Sequence, residues 1–356
     1  MRIKRVLKEI VKKRRLSVLR KSFVNDHHDV SSYNKENVAD YRKQGFSLSD
    51  SACYDLKHND YRNYISTWEG YLPRLDNAEF SLISDNKYLF YLTYSHFVRT
   101  PRVYALIRKG ALVSVGEHEL TSENLYDFAL KTNGIVIKDA SGSDGFDVYV
   151  LKQKNGALFY KNKAVDAKDV ADMVKKFKNG IVQEKIEQGA FENEIFPDSV
   201  NTVRVISMKK PDADEHEIVA ALQRIGTAKS APVDNFNQGG ASALIDVETG
   251  EIGKLTSLFY LDENGQRVFY ERHPDSGAVV CGRVIPHWEE LKAMIAETTR
   301  KMPFFKLIAW DIVVLDDGFA VIEINTKSSM NVFQIHRGLR SERLGEYYRR
   351  AGYLTD

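Results

Sequence analysis

Cysteine is scarce: Cys53 and Cys281 are the only two in 356 residues, far apart and in no C-x-x-C or Cys/His spacing. That excludes a disulfide framework and a cysteine-based zinc site, and it fits a reducing, cytoplasmic setting. No run approaches the roughly 20 apolar residues needed to cross a bilayer, and the amino terminus lacks the apolar stretch of a secretory signal. Neither sign of charge dominates. Fifty-one Lys and Arg stand against 49 Asp and Glu, for a net charge of +2, so the total implies no nucleic-acid partner. There is no Pro-rich linker, low-complexity tract or internal repeat, so any lobes are joined tightly. A Walker loop, a G-x-G-x-x-G fingerprint and a G-x-S-x-G elbow are all missing.

What is present is an ordinary globular composition, 43% apolar and 28% charged. The length is too great for one core and implies two or three lobes. One segment breaks the charge balance. Met1 to Lys21 carries Arg2, Lys4, Arg5, Lys8, Lys12, Lys13, Arg14, Arg15, Arg20 and Lys21 against Glu9 alone. Ile3, Leu7, Ile10 and Val11 recur there at helical spacing, as in a helix lying on an anionic membrane surface or a solvated helix packed on its own protein. After a polar stretch with His27 and His28, read as loop histidines, Tyr54, Tyr61, Tyr64, Trp68 and Tyr71 repeat at helical intervals and are read as core.

From Leu82 the pattern is mixed α/β. A helix is expected near Asn86 to Phe97, with strands at Val103–Ile107, Gly134–Lys138, Val148–Leu151 and Gly180–Ile186 and a helix around Ala167 to Phe177. Beyond lie strands at Val203–Met208, Ile218–Arg224 and Ser242–Val247, then a helix Trp288–Lys301 opened by Pro286. Two apolar strands follow, Leu307–Leu315 and Phe319–Ile324, joined by the hairpin signal Asp316-Asp317-Gly318.

This last hairpin carries the strongest chemical signal. Glu323 and Asn325 sit two apart, hence on one face, and Asp311 can lie across from them, so three hard oxygen donors converge among apolar neighbours. Buried carboxylates need a cation, and such a set suits Mg²⁺, whose shell phosphate and water would complete; the alternative is three polar residues facing solvent at strand ends. A second signal is the apolar strand ending in Lys138 before Ser141-Gly142-Ser143-Asp144-Gly145, a turn whose N–H groups can cradle phosphate or which is simply a hairpin. A third is Arg204 in the middle of an apolar strand, with Arg224 near the end of the next. Each needs an anion, either a transferred phosphoryl group or a structural carboxylate.

In this order the motifs resemble the sugar-transfer-associated branch of the ATP-grasp superfamily, over roughly Leu82 to Arg340. The succession is Lys87 in Ser84-Asp-Asn-Lys, Lys138 with its small-residue loop, Gln183-Glu184-Lys185-Ile186, and Ser199-Val-Asn201-Thr-Val-Arg204-Val. It continues with Arg224, Asn235, Gly239-Gly240, Asp311, Glu323 and Asn325. The resemblance implies an α/β (α+β) ATP-grasp fold, two lobes clamping ATP. The division implied is a basic amphipathic segment 1–24, a helical region 25–81, a first lobe 82–186 with the phosphate loop, and a second lobe 187–356 with the metal site.

It further implies that adenine meets the backbone at Lys185 and Ile186 beside Gln183, with Glu184 at its amino edge. Lys87 and Lys138 reach the phosphates under Ser141, Gly142, Ser143 and Gly145. Lys109 is a rival to Lys87. Glu192 would bind ribose and Asn235 would serve the nucleotide, while Mg²⁺, with Mn²⁺ as an alternative, would bridge phosphates to Asp311, Glu323 and Asn325. Ala309 stands where some superfamily ligases carry an oxyanion-stabilising arginine, so Arg204 or Arg224 must take that role.

The activity implied is ATP-dependent carboxylate–amine ligation through an acyl phosphate, joining an amine to a sugar carboxylate in surface-polysaccharide assembly. A kinase acting on a hydroxyl and a non-catalytic nucleotide-binding scaffold are the alternatives. The expected partners are a small-molecule or glycan carboxylate and an amine, with no nucleic acid; the tail, with Asn331, His336, Arg337, Arg340 and Arg343, is read as a solvated final helix or as a holder of an acidic acceptor. The expected place is the cytoplasm, peripheral at the inner membrane face through residues 1–21.

Overall fold

A computed structural model describes residues 2–26, 39–142 and 148–354. His27, His28, Ser143, Asp144 and Gly145 lie outside the described residues. The architecture is mixed α/β, built on two sheets in which every ladder among the described residues is antiparallel.

The first sheet holds β1 (Val103–Arg108), β2 (Ala111–Ser114), β3 (Gly134–Asp139), β4 (Val148–Lys154), β5 (Ala157–Tyr160), β6 (Lys163–Val165) and β7 (Asn179–Glu184), in the order β2-β1-β7-β3-β4-β5-β6. The second holds β8 (Thr202–Lys209), β9 (His216–Ile225), β10 (Ala241–Ile245), β11 (Ile252–Thr256), β12 (Leu307–Leu315) and β13 (Gly318–Asn325), in the order β11-β10-β9-β8-β12-β13.

One face of the first sheet is covered by the helices Leu125–Lys131 and Ala167–Lys175, and Ile107, Ile135, Ile137, Leu151, Val170 and Val174 form its core. The second helix starts at a reciprocal cap between Asp166 and Asp169, which satisfies two of its otherwise orphaned N–H groups. The opposite face of this sheet stays open toward the second.

The second sheet is covered on both faces. Strand β12 is buried along all nine residues, so alternation feeds two cores. Ile308, Trp310 and Ile312 enter the core capped by the helix Trp288–Lys301, where Trp310 Nε1 donates to Ser207 Oγ at 2.8 Å. That helix carries Glu289 and Glu290 in its first turn and Arg300 and Lys301 in its last, matching its dipole at both ends. Leu307 and Ala309 face the other way, against a layer contributed by Phe46, Tyr54, Ile65, Phe333 and Tyr348.

The aromatic stripe is core in part, with Tyr54, Tyr64 and Tyr71 buried, but it does not lie on one helix. The chain there folds as short pieces, Leu48–Cys53, Tyr61–Asn63 and Thr67–Tyr71, each started by its own polar cap at Ser47, Asp60 and Ser66. The basic segment forms the helix Arg2–Asp26, and its Leu19 and Phe23 pack on Trp68, Tyr71 and Leu75. Among the described residues no helix is long and apolar enough to cross a membrane.

Candidate functional site

Between the open face of the first sheet and the second sheet lies a cavity of about 180 Å³. Alternation explains its first wall. In β3, Ile135 and Ile137 point into the helix-covered core, which sends Val136 and Lys138 to the cavity, and their ladder partners Val150 and Val148 in β4 join them. Gln183, opposite Val136 in β7, and the exit from that strand, Glu184, Lys185 and Ile186, close one end. The second wall is Val200, Thr202, Asp234, Ile322 and Glu323. The result is an apolar slot of valines and isoleucines opening onto a charged end.

At the charged end, register places Asp311 of β12 directly opposite Glu323 of β13. The ladder slips between Asp311 and Ile312, and this bulge lets both Ile322 and Glu323 line the cavity. Asn325 pairs with Ala309 and is half-buried, but it is not among the residues that line the cavity.

Arg204 grips Asp311 with both arms of its guanidinium, Nε to Oδ1 at 2.6 Å and Nη2 to Oδ2 at 2.5 Å. Arg224 stands between two acids, 3.5 Å from Asp311 and 2.9 Å from Asp234, and Asp234 also accepts from the Thr202 hydroxyl. Burial alone would raise the Asp311 carboxyl; Arg204 and then Arg224 outweigh it and hold it below the carboxylate range. Burial wins at Asp234, which is raised despite Arg224.

Lys138 is 9% exposed, and burial followed by the charge of Lys87 pushes its ammonium down to about 8, against the pull of Glu323 and Asp311. Lys87 opens the helix Lys87–Tyr94, whose first N–H groups are capped by Asn86 Oδ1. Its Nζ donates to Gly142 O at 2.5 Å and lies 3.8 Å from Glu323. Four cations thus converge with three carboxylates: Lys87, Lys138, Asp234 and Glu323 line the cavity, whereas Asp311, Arg204 and Arg224 do not line it and join it through the Arg224–Asp234 pair.

The remaining expected residues are placed unevenly. Ser141 is exposed, its N–H donating to Asp139 Oδ1 at 2.7 Å, and Gly142 lines the cavity. Glu184 uses its carboxylate to accept from Arg102 N at 3.1 Å and to meet Arg99 at 3.5 Å. The Lys185 ammonium folds onto Glu187, and burial with nearby Lys152 lowers it to about 8.

Glu192 is not brought to the cavity. It is fully buried, its carboxyl bonded by Gln223 Nε2 at 3.0 Å and pushed up to about 8 by burial. Asn235 caps a 3₁₀ turn by accepting from Asn237 N at 2.8 Å, next to the cavity residue Asp234. Lys109 sits in the β1–β2 turn, its N–H donating to Lys178 O, and does not line the cavity.

Asp139, Thr202 and Asp234 are polar cavity residues that the sequence did not single out for a role; for Asp234 the available signal was that Arg224 required an acid. The donor set fits a hard divalent ion. Asp311 and Glu323 are paired carboxylates, and among the described residues no group of three or more His, Cys, Asp or Glu is placed to hold a metal ion by itself, so a cation held here would draw further ligands from a phosphate or water.

The model of the family described as sugar-transfer associated ATP-grasp matches residues 67–345. The chain belongs to this family. Comparison with curated proteins finds no match. Among solved structures, D-alanyl-alanine synthetase A from Vibrio cholerae O1 biovar eltor is 13% identical with a TM-score of 0.42, over 75% of this chain and 65% of that one. The D-alanine–D-alanine ligase from Helicobacter pylori is 14% identical with a TM-score of 0.43, over 82% and 71%. A RimK domain ATP-grasp protein from Sphaerobacter thermophilus is 10% identical with a TM-score of 0.39, over 79% and 70%. This ATP-grasp chain therefore spans 65% of the length of the first of these structures.

Proposed function

We propose that the protein is an ATP-dependent carboxylate–amine ligase, joining an amino acid or other amine to a sugar carboxylate in surface-polysaccharide assembly. The observation that carries this is the charged end of the cavity, where Lys87 and Lys138 meet Glu323 and Asp234 beside an apolar slot, with Asp311, Arg204 and Arg224 in the ion-pair network behind Asp234. Family membership supports the nucleotide, and the family's sugar-transfer association supports the carbohydrate.

In this reading the base lies in the slot formed by Val136, Val148, Val150 and Ile186, against the backbone at Lys185, and the phosphates run toward Lys138 and Lys87. Mg²⁺ or Mn²⁺, held by Asp311 and Glu323 with Asn325 near by, would supply charge neutralisation at the phosphates. A carboxylate oxygen attacks the γ-phosphorus and ADP leaves, giving an acyl phosphate. The amine nitrogen then attacks the acyl carbon, and phosphate and a proton depart. The chain needs no nucleophile of its own, because positioning and charge carry phosphoryl transfer. Arg224 stabilises charge on the transferring group, and Arg204 holds Asp311 in place while adding to the same field.

The partners in this reading are a glycan carboxylate and an amine. The basic N-terminal helix adds contact with an anionic lipid surface at the inner membrane face. Its Ile10, Val11 and Val18 are 56%, 47% and 63% exposed, whereas Leu19 and Phe23 are buried against the protein, so the docked face leaves a second apolar surface beside the lysines and arginines.

The test is ADP release by the full chain with Mg-ATP, pooled amino acids and pooled uronic acids, alongside Glu323→Ala. Release that needs both pools and disappears in the variant is expected. Release with a sugar alone, leaving a phosphorylated hydroxyl, would establish a kinase instead.

A further inference from the structure

A second cavity, of about 370 Å³, lies on the same face of the second sheet as the charged end of the first. Arg224 of β9 pairs with Ser242 of β10, and residues opposite one another on adjacent strands project side by side. Ser242 Oγ lies 3.0 Å from Nε2 of His336, which lines the second cavity. A chain of contacts therefore links the two cavities, from Asp234 in the first through Arg224, 2.9 Å away, and Ser242 to His336 in the second.

Three distant segments build the walls: residues 52–64, 261–269 and 335–338. The first precedes the part of the chain that the family model matches. The walls are fastened to one another. The Gln334 amide both accepts from Ile65 N and donates to Ile65 O, each at 2.8 Å. At Gly338 the backbone runs so close that an added Cβ would stand 2.3 Å from Asn63 O, an oxygen that accepts from Arg340 N at 3.0 Å. A cavity held this way is formed before any ligand arrives, and its size falls within the roughly 300–1,000 Å³ of small-molecule sites.

Its lining combines ring faces, amides and guanidinium cations with one carboxylate, Asp55, which is paired with His58 at 2.8 Å. Phe269, 39% exposed and 5.9 Å from the His336 ring, supplies a ring face, while Tyr54 and Tyr64, buried and stacked on each other at 5.0 Å, contribute apolar wall. Asn63 is one of several amides there, suited to hydroxyl groups. Arg267 and Arg337 supply planar cations; Arg267 donates to Ser257 O at 2.6 Å, while Arg337 meets Glu342 at 2.6 Å with 60% of its side chain exposed. Burial and these two arginines keep His336 neutral, lowering it to about 3, so it contributes a hydrogen-bonding group and no charge. Ring faces for C–H surfaces, amides for hydroxyls and guanidinium forks for a carboxylate together match an acidic sugar.

We propose that this cavity is a subsite for an acidic sugar unit of the glycan substrate, adjoining the unit whose carboxylate reacts beside Arg224. The link to the reaction rests on the ligase reading; the binding of the sugar does not. The probe is digalacturonate, with the neutral disaccharide maltose as its comparison, followed by calorimetry and saturation-transfer NMR on the full chain. Phe269→Ala and Arg337→Ala change surface positions, and thermal unfolding checks that each variant folds. Digalacturonate should bind, maltose should not, and both variants should weaken binding by about tenfold. Failure of digalacturonate to bind, equal binding of maltose, or undiminished binding by folded Phe269→Ala and Arg337→Ala would overturn the proposal. Binding of ATP to the unaltered chain, measured in parallel, separates the two readings. If ATP fails to bind while digalacturonate binds as expected, the ligase reading falls and the sugar subsite stands.

Discussion

Lys138 sits where burial and the charge of Lys87 oppose its protonation and Glu323 and Asp311 favour it, with a balance near 8. A phosphate ligand binds the charged form, which dominates below that value. Nucleotide affinity should therefore hold up to about pH 7 and fall as pH rises through about 8. Lys138→Met, of similar length but uncharged, should weaken nucleotide binding by about tenfold or more at neutral pH, about 1.4 kcal/mol, and should flatten that decline; calorimetric titration across pH checks both. Glu192 titrates in the same range, with burial again the first cause and the opposite sign of shift. Its folded carboxyl is raised from 4.5 to about 8 by burial, so its contribution to stability is complete below 4.5 and is lost as pH rises through about 8. Glu192→Gln should remove that part of the pH dependence, so melting temperatures of variant and parent should diverge in slope between about pH 5 and pH 8. At this scale the sequence was legible wherever an ionisable residue interrupted an apolar strand, as at Lys138, Arg204 and Asp311. Asp234 was not, because it lies in a loop and acquires its meaning only from Arg224, 2.9 Å away in space.

Long apolar elements were read closely: the helix Trp288–Lys301 and strand Leu307–Leu315 have the bounds expected from their patterns. Strands β2, β5, β6 and β11 went unread: β2 and β6 are short and largely exposed, and β5 and β11 are only four and five residues long. The bulge in β13 leaves no pattern either, since it is a matter of pairing and not of composition. The N-terminal helix is where an element carries a prediction of its own. The exposed Ile10, Val11 and Val18 stand with Lys13, Arg14 and Arg15 on a helix anchored through Leu19 and Phe23. The full chain should sediment with vesicles containing phosphatidylserine and not with neutral phosphatidylcholine vesicles. Replacing Lys13, Arg14 and Arg15 together by Glu should abolish this, and raising salt should weaken it. Equal binding to neutral vesicles, or undiminished binding by the triple variant, would remove the membrane from the account.

For the whole molecule, two antiparallel sheets face each other across a cleft, and each side contributes half of the charged end: Lys138 from the first, Asp311 and Glu323 from the second. The order of motifs along the chain made this pairing legible through the family resemblance. Of the second cavity only the tail with His336 and Arg337 was read, as a holder of an acidic acceptor or a solvated final helix; the other walls, residues 52–64 and 261–269, share no pattern with it in sequence. The arrangement has a direct chemical consequence if the protein activates a carboxylate with ATP. One carboxylate oxygen must leave with the phosphate. The decisive measurement supplies uronic acids labelled with ¹⁸O in the carboxylate, together with ATP, Mg²⁺ and pooled amino acids, and analyses the released phosphate by mass spectrometry. A carboxylate–amine ligase transfers one ¹⁸O to each phosphate released in the coupled reaction, and Glu323→Ala releases none. Phosphate that forms at full rate without label would contradict carboxylate activation, whatever else the cleft binds.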